Sequence, residues 1–277
     1  MRFEDRGATL IRMVRQLPQL KSLSILYQCW MFGQERRVDD NDGLPRCKEL
    51  AELRSHSLTR LSMSMLAGSA EGSTLRLNGL PELRTCELFG DNGPPNMQLA
   101  MRIDAASFQG APQLQSFSVC CDEALQLQDS SLRQLTSLTS LTLRGCGLQS
   151  VPAEAVALSN TLSLLNLSNN SRLQIDGAAL ATILQFGRLR SLSLYKSVFN
   201  TWDEKLLEDG AWRSAWGRVE RHMEEEGYTP SQFSLDSWRV LMQLPSAYSK
   251  RHGRELDLWL DVDDYFKSEC YRERTSS

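Results

Sequence analysis

The chain has 277 residues, of which 41% are apolar and 23% are charged, and its formal net charge at pH 7 is −3. This length allows a sizeable apolar core in one or two domains, and the charge gives no global reason to expect nucleic acid or an anionic membrane as a partner. No segment approaches the roughly 20 apolar residues of a membrane-spanning helix, and the charged start Met1–Arg6 does not look like a secretory signal. We therefore expect a soluble, intracellular and cytoplasmic protein.

One spacing of apolar residues recurs seven times in the first 200 residues. In each copy apolar residues stand at positions one, four and six, and the ninth position is usually small or polar. The copies begin at Leu20, Leu58, Leu83, Leu114, Leu138, Leu162 and Leu189. The last four starts are 24, 24 and 27 residues apart, the period of a strand plus a return segment. One such unit cannot bury its own apolar side, so the copies are predicted to stack.

The segments between the copies differ in character. Residues 8–16 indicate the helix of an incomplete first repeat, and the polar run Gly33–Arg46 indicates an insertion in the irregular first half. Asp176–Gln185 predicts a helix, because it has helical composition and an acidic residue where an N-cap is favoured. Leu148–Pro152 predicts an irregular return, since proline lacks the donor that a helix interior needs.

The repeated spacing resembles a leucine-rich repeat over about residues 10–200. The resemblance implies an α/β fold: a solenoid with parallel strands on its concave side and helices and irregular returns on its convex side. Residues 1–200 are then a repeat domain with an insertion near residues 33–46. In this family an Asn or Cys at the ninth position bonds the backbone of the turn. That position holds Cys146 and Asn170, but elsewhere it holds Gln28, Leu66, Asp91, Asp122 and Ser197.

The pattern stops after Phe199 and the composition changes. Residues 201–277 contain five of the six tryptophans and carry a formal charge of −5, against +2 for residues 1–200. A helix opened by Asp209 is predicted to place four residues on one side: Trp212, Trp216, Val219 and Met223. We interpret residues 201–277 as a helical cap on the end of the repeats or, alternatively, as a partner-binding extension.

Two further elements are predicted in this C-terminal extension. A second helix is expected from Ser234 to Gln243, with Pro245 at its end. Apolar and polar residues alternate over Leu256–Val262, which predicts a strand. A helix over residues 255–269 stays open as an alternative, because that stretch has few helix breakers.

The concave face is where a protein of this architecture usually binds. Side chains alternate along a strand, so the central outward positions of the seven copies are small or polar: Ser24, Ser62, Glu87, Ser118, Thr142, Asn166 and Ser193. Aromatic and arginine side chains, which often anchor interfaces, flank them. The predicted partner-binding residues are Leu26, Tyr27, Glu87, Phe89, Thr142, Arg144, Asn166, Tyr195 and Lys196. The alternative is that Ser and Thr merely suit a solvated strand.

The residues that usually carry chemistry do not form a recognisable site. The seven cysteines are dispersed, and without an export signal they are predicted to be buried reduced thiols rather than disulfides. Adjacent Cys120 and Cys121 suggest redox chemistry or a soft metal, but no other Cys or His is near in sequence. His56, His222 and His252 share no ligand spacing, and no glycine-rich phosphate motif is present. We predict no catalytic residue, no metal and no cofactor.

The sequence therefore predicts a non-catalytic protein–protein interaction module that binds a protein partner on its concave face. The alternative is a substrate-recognition adaptor of a ubiquitin-ligase or signalling complex, as in F-box-type members of the family. The partner's identity and the oligomeric state stay open. A cytoskeletal or axonemal location also stays open, but the residues themselves do not indicate it.

Overall fold

The computed structural model describes residues 14–25, 47–65, 73–90, 101–121, 125–128, 130–170, 172–194, 200–201, 231–232 and 235–259. The strands in these ranges are β1 Ser22–Ile25, β2 Arg60–Met65, β3 Ser73–Thr74, β4 Thr85–Gly90, β5 Met101–Ile103, β6 Ser116–Cys120, β7 Leu125–Leu127, β8 Ser140–Arg144, β9 Leu164–Asn166, β10 Ser191–Ser193, β11 Asn200–Thr201, β12 Ser231–Gln232 and β13 Asp257–Trp259. The helices are α1 Cys47–Glu52, α2 Gly177–Ile183, α3 Leu235–His252 and a 3₁₀ helix at Ala153–Leu158.

The largest element is an eight-stranded sheet with the order β1-β2-β4-β6-β8-β9-β10-β13. Every pair of neighbours in it is parallel. Each of the seven predicted copies contributes one strand, in chain order, and the C-terminal region contributes the eighth. The predicted α/β class with a parallel sheet is confirmed for the described residues.

The register of this sheet aligns equivalent positions of successive copies. Leu61, Cys86, Phe117, Leu141 and Leu165 lie opposite one another in turn. All five are fully buried, and so are the residues two places further along four of these strands, Met63, Leu88, Val119 and Leu143. Burial of this kind contributes roughly 1.5–3 kcal/mol per large apolar side chain, so the apolar rows are what fixes the register.

The residue before each strand makes the same hydrogen bonds from copy to copy. At Lys21, Thr59 and Arg84 one backbone carbonyl oxygen accepts from two successive N–H groups of the next copy, at 2.8–3.1 Å. The carbonyl oxygens of Gln115, Thr139 and Ser163 accept in the same way. This repeated junction shows that the seven copies share one local backbone arrangement as well as one sequence spacing.

A second sheet, which we did not predict, is formed by the return segments. It has three short parallel strands in the order β3-β5-β7. The returns were expected to be helices or irregular, and the structure adds strands to that description. The reason is that Met101, Ile103 and Leu125 are buried in the same core, so an extended backbone there can pair with its neighbours.

Close backbone packing beside this second sheet requires a glycine. The Leu80 N–H donates to the Gly110 carbonyl oxygen at 2.9 Å. A Cβ atom on Gly110 would collide with backbone atoms of Leu77, Asn78 and Gly79. The turn at Gly110 therefore depends on the missing side chain.

The helix predicted at Asp176–Gln185 is confirmed as α2. Its N-cap is Asp176, whose carboxylate accepts from the Ala179 N–H at 2.8 Å. Such a cap stabilises a helix by about 1 kcal/mol. The return that begins at Leu148 forms the short 3₁₀ helix, which starts directly after Pro152.

The helix predicted to end at Pro245 instead continues as α3, so that prediction is wrong. Pro245 lies inside the helix, and α3 is ended by Gly253, which has φ +64°, a conformation that favours glycine at a helix C-terminus. Leu244 and Tyr248, before and after the proline, are fully buried. Their packing offsets the hydrogen bond that proline removes.

The C-terminal region is joined to the main sheet. The Tyr248 hydroxyl lies 2.5 and 2.8 Å from the carbonyl oxygens of Phe186 and Leu189, which share its single proton, and α3 packs against α2. The strand predicted from the alternation after Leu256 is present as β13, which pairs with β10. The helix predicted after Asp209 lies outside the described residues, as does the insertion at 33–46.

No helix within the described ranges is both long enough and apolar enough to cross a membrane.

Candidate protein-binding face

The less buried side of the eight-stranded sheet carries a continuous row of polar positions. In the register of the sheet, each member of the row lies opposite the next. We call this set the polar row: Ser24, Ser62, Glu87, Ser118, Thr142, Asn166 and Ser193. It coincides with the central outward positions that the sequence predicts, because parallel strands of equal pattern pair in equal register.

A shorter row, the flanking row, runs beside it along four strands. Its members are Ser64, Phe89, Cys120 and Arg144, again opposite one another in turn. Arg144 is exposed, and Phe89 and Cys120 are half-buried. The structure therefore brings five of the predicted partner-binding residues onto one face: Glu87, Phe89, Thr142, Arg144 and Asn166. Leu26, Tyr27, Tyr195 and Lys196 lie outside the described residues, and their role in binding stays a prediction.

The two rows are not uniformly solvated. Ser62 and Ser64, both on β2, are buried, with 4% and 5% of their surface exposed. The members from Glu87 to Asn166 keep intermediate or full exposure. Only β2 therefore interrupts the accessible surface of the face, because Ser24 on β1 is exposed and Ser193 on β10 keeps intermediate exposure.

Glu87 lies in an ion pair that the sequence analysis missed. Nη2 of Arg60 donates to the Glu87 carboxylate at 3.2 Å, and 57% of the Arg60 side chain is exposed against 26% of Glu87. Arg60 was missed because it is the first residue of its strand, one place before the apolar position that the pattern scores. The pair leaves Arg60 as the more accessible charge of the two.

The carboxylate of Glu87 also affects the buried residue before it. Burial, and then the nearby Glu87 charge, raise the pKa of the Cys86 thiol well above its ordinary value. Cys86 therefore stays protonated and belongs to the apolar core rather than to any chemistry on the face.

Arg144 is held beside a turn that follows β9. In the amide orientation that satisfies both groups, the Asn169 side-chain oxygen accepts from Nε and Nη2 of Arg144 at 3.1 and 3.3 Å. Asn169 has φ +60°, a conformation that asparagine tolerates better than most residues. Arg144 is thus exposed, but this contact restricts its side chain. The side chain would therefore lose less conformational entropy on binding a partner.

The polar row is connected to the next strand by side-chain hydrogen bonds. Asn166 accepts from the Ser168 N–H at 2.9 Å, and the hydroxyls of Ser168 and Ser193 are 2.8 Å apart. The first bond is local to the end of β9, and the second holds that end against β10. The small side chains here therefore have a structural role in addition to any role in binding.

A buried asparagine supports the face from behind. Asn170 is fully buried, and its side-chain oxygen accepts from the N–H groups of Cys146 and Leu148 at 2.8 and 3.1 Å. Its two amide protons are shared among the carbonyl oxygens of Leu143, Leu167 and Ser168, which lie at 2.8, 2.7 and 3.3 Å. One side chain thus satisfies the turns after β8 and β9, which position Arg144 and Asn166.

The other chemically active residues do not converge on the face. Five cysteines of the described part are outside disulfides: Cys47, Cys86, Cys120, Cys121 and Cys146. His56 is exposed, and Nε2 of His252 lies 2.9 Å from the Leu184 carbonyl oxygen at the end of α2. Among the described residues, no group of three or more His, Cys, Asp or Glu side chains is arranged to hold a metal ion.

Comparison with known proteins gives no assignment. No protein-family model matches the chain, and no curated protein sequence matches it.

Proposed function

We propose that the chain is a leucine-rich repeat solenoid whose face between β4 and β9 binds a protein partner without catalysing a reaction. The observation that carries the proposal is the polar row, in which side chains of equal register from successive copies make one continuous surface. Two features support the repeat assignment. At six positions, the same carbonyl oxygen before a strand accepts from two N–H groups of the next copy. The buried Asn170 side chain bonds the backbone of the neighbouring copy.

The chemistry of the face suits a protein partner. It combines a partly ordered, exposed arginine at Arg144, a half-buried aromatic ring at Phe89 and small hydrogen-bonding groups at Ser118, Thr142 and Asn166. Arginine and aromatic residues are enriched among the few residues that dominate binding energy at interfaces. Small polar neighbours allow another backbone to approach and supply hydrogen bonds.

Affinity purification with quantitative mass spectrometry of the bound proteins tests the proposal. Arg144→Glu reverses the exposed charge, and Thr142→Arg fills the adjacent row position with a large side chain. Each variant is expected to reduce recovery of the same partner, with a loss in affinity of roughly tenfold or more for a central position. Arg133→Glu is the matched control, because Arg133 is exposed on a return segment away from the face.

The outcome that would overturn the proposal is equal recovery of every partner by wild type, Arg144→Glu and Thr142→Arg. Loss of the same partner in Arg133→Glu would also overturn it, since binding would then depend on the return side. Far-ultraviolet circular dichroism of each variant separates loss of binding from loss of folding.

A further inference from the structure

Two buried thiols from neighbouring copies are in direct contact. Cys121 follows β6 and Cys146 lies two residues after β8. Their Sγ atoms are 3.4 Å apart, and each residue is only 1% exposed. In a disulfide the two sulfur atoms are about 2.05 Å apart, so a small approach of two side chains would bring them to bonding distance.

The backbone around the pair holds it in place. The Cys121 N–H donates to the Arg144 carbonyl oxygen, and the Leu125 N–H donates to the Cys146 carbonyl oxygen, both at 3.3 Å. Asn170 accepts from the Cys146 N–H at 2.8 Å. The segments that carry the two thiols are therefore bonded to each other on both sides of the contact, so the backbone keeps the two side chains adjacent.

We propose that Cys121 and Cys146 are a modification site: a hydroperoxide converts them to a disulfide that links the turns after β6 and β8. This inference goes beyond the proposed binding function and does not depend on it. The contact joins two different copies of the repeat, so the bond would close a loop across the sheet instead of within one turn.

The reaction balances with the hydroperoxide as oxidant. One thiol loses its proton, and its sulfur attacks the outer peroxide oxygen. The O–O bond breaks, the alcohol leaves with that proton, and a sulfenic acid remains. The second sulfur then attacks the sulfenic sulfur, the S–O bond breaks, and the hydroxide takes the second thiol proton and leaves as water. Two thiols are oxidised, and the hydroperoxide is reduced to an alcohol and water.

The surroundings of the two thiols determine the rate of this reaction. The hydrogen bond with Cys121, and then burial, raise the pKa of the Cys146 thiol far above its ordinary value. The Cys146 sulfur also contacts the carbonyl oxygens of Val119 and Arg144 at 3.6 and 3.4 Å. The thiolate is the reactive species, so the disulfide forms slowly and under sustained oxidation, and it is insensitive to brief exposure.

Peptide mapping of the full chain tests the inference. The reduced protein is treated with hydrogen peroxide, the remaining thiols are alkylated, and trypsin is added. Residues 103–133 and 145–172 each contain no internal lysine or arginine, so a link between Cys121 and Cys146 joins these two peptides. The expected product has their summed mass less two hydrogen atoms, plus one alkyl group on Cys120, and dithiothreitol separates it into the two parts.

Cys120 provides the matched control, because it lies on the same peptide as Cys121. The linked peptide is expected to persist in Cys120→Ser and to disappear in Cys121→Ser and in Cys146→Ser. A link that persists in Cys121→Ser would overturn the assignment, and so would recovery of the two peptides only as alkylated or over-oxidised species.

Wild-type protein alone also decides the question if a serine variant fails to fold. The native protein is expected to yield this link in excess over every other cysteine pair, while protein oxidised in urea distributes its links among many pairs. Equal distributions in the two conditions would show that the native contact does not direct the bond, and would overturn the inference.

Discussion

Removing the Asn170 side chain by Asn170→Ala is the most informative single perturbation of the fold. The substitution removes a fully buried side chain whose oxygen accepts from two N–H groups and whose amide protons reach three carbonyl oxygens. It leaves the N–H groups of Cys146 and Leu148 and the carbonyl oxygen of Leu143 without this partner. These three groups belong to β8 and to the turn that follows it, which position Arg144 on the face.

The magnitude follows from the burial of those groups. A buried polar group that loses its partner costs roughly 1–3 kcal/mol. Cys146 is 1% exposed, so its N–H is expected to incur the larger cost, while Leu148 is half-buried and its N–H can reach water. We expect a total loss of about 3–5 kcal/mol in the free energy of unfolding, a large share of the roughly 5–15 kcal/mol that stabilises a typical domain.

Urea unfolding followed by circular dichroism measures this loss. Asn160→Ala is the control, because Asn160 is exposed and a surface substitution is expected to change stability by less than about 0.5 kcal/mol. If Asn170→Ala and Asn160→Ala unfold at the same urea concentration, the idea that one buried amide holds neighbouring copies together is wrong.

Three further predictions use other contacts. Arg76 makes two 2.7 Å hydrogen bonds to the Asp104 carboxylate and holds the pKa of that carboxyl below 3.8. Asp104→Asn is therefore expected to lower the free energy of unfolding by about 1 kcal/mol at neutral pH. The urea midpoints of this variant and of wild type should converge as the pH falls through the lowered pKa, because the wild-type ion pair is then lost. Burial raises the pKa of Tyr248 above 10.0, so the folded state favours the neutral phenol and loses that stability as the pH rises above 10.0. Tyr248→Phe is expected to remove this loss of stability at alkaline pH in thermal unfolding scans and to lower the free energy of unfolding by about 1–2 kcal/mol at neutral pH. An unchanged loss at alkaline pH in the variant would show that Tyr248 is not its cause. Gly110→Ala is expected to destabilise the protein by about 1–3 kcal/mol, because the new Cβ collides with backbone atoms. Gly177→Ala is expected to be neutral or stabilising by up to about 1 kcal/mol, because a Cβ there meets nothing within 4 Å. Equal melting temperatures for the two variants would contradict the close packing at Gly110.

The main sheet was predictable because its signal is local and repeated. Leu141 and Leu143 show which side of β8 is inward, and the same spacing at Leu165 requires the same side for β9. Equal patterns on neighbouring strands then predict equal register. The polar row follows from the same spacing, which is why Thr142 and Asn166 lie opposite each other as expected.

The features that sequence could not supply depend on contacts between distant residues. β5 and β7 have only three residues each, too few to show an alternating pattern, and they are strands because neighbouring returns pair with them. Pro245 indicates a helix end locally, but the buried Tyr248 hydroxyl and its two carbonyl partners keep the chain helical beyond it. The contact between Cys121 and Cys146 joins positions that the repeat spacing does not treat as equivalent.

Copies of one spacing pair in parallel and in equal register, so that one row of side chains is buried and another stays accessible. A crystal structure of the full chain that resolves side chains measures this directly. We expect Ser118, Thr142 and Asn166 on adjacent parallel strands about 4.8 Å apart, with Phe117, Leu141 and Leu165 buried on the other side. A register shifted by one residue, or antiparallel pairing of these strands, would contradict it.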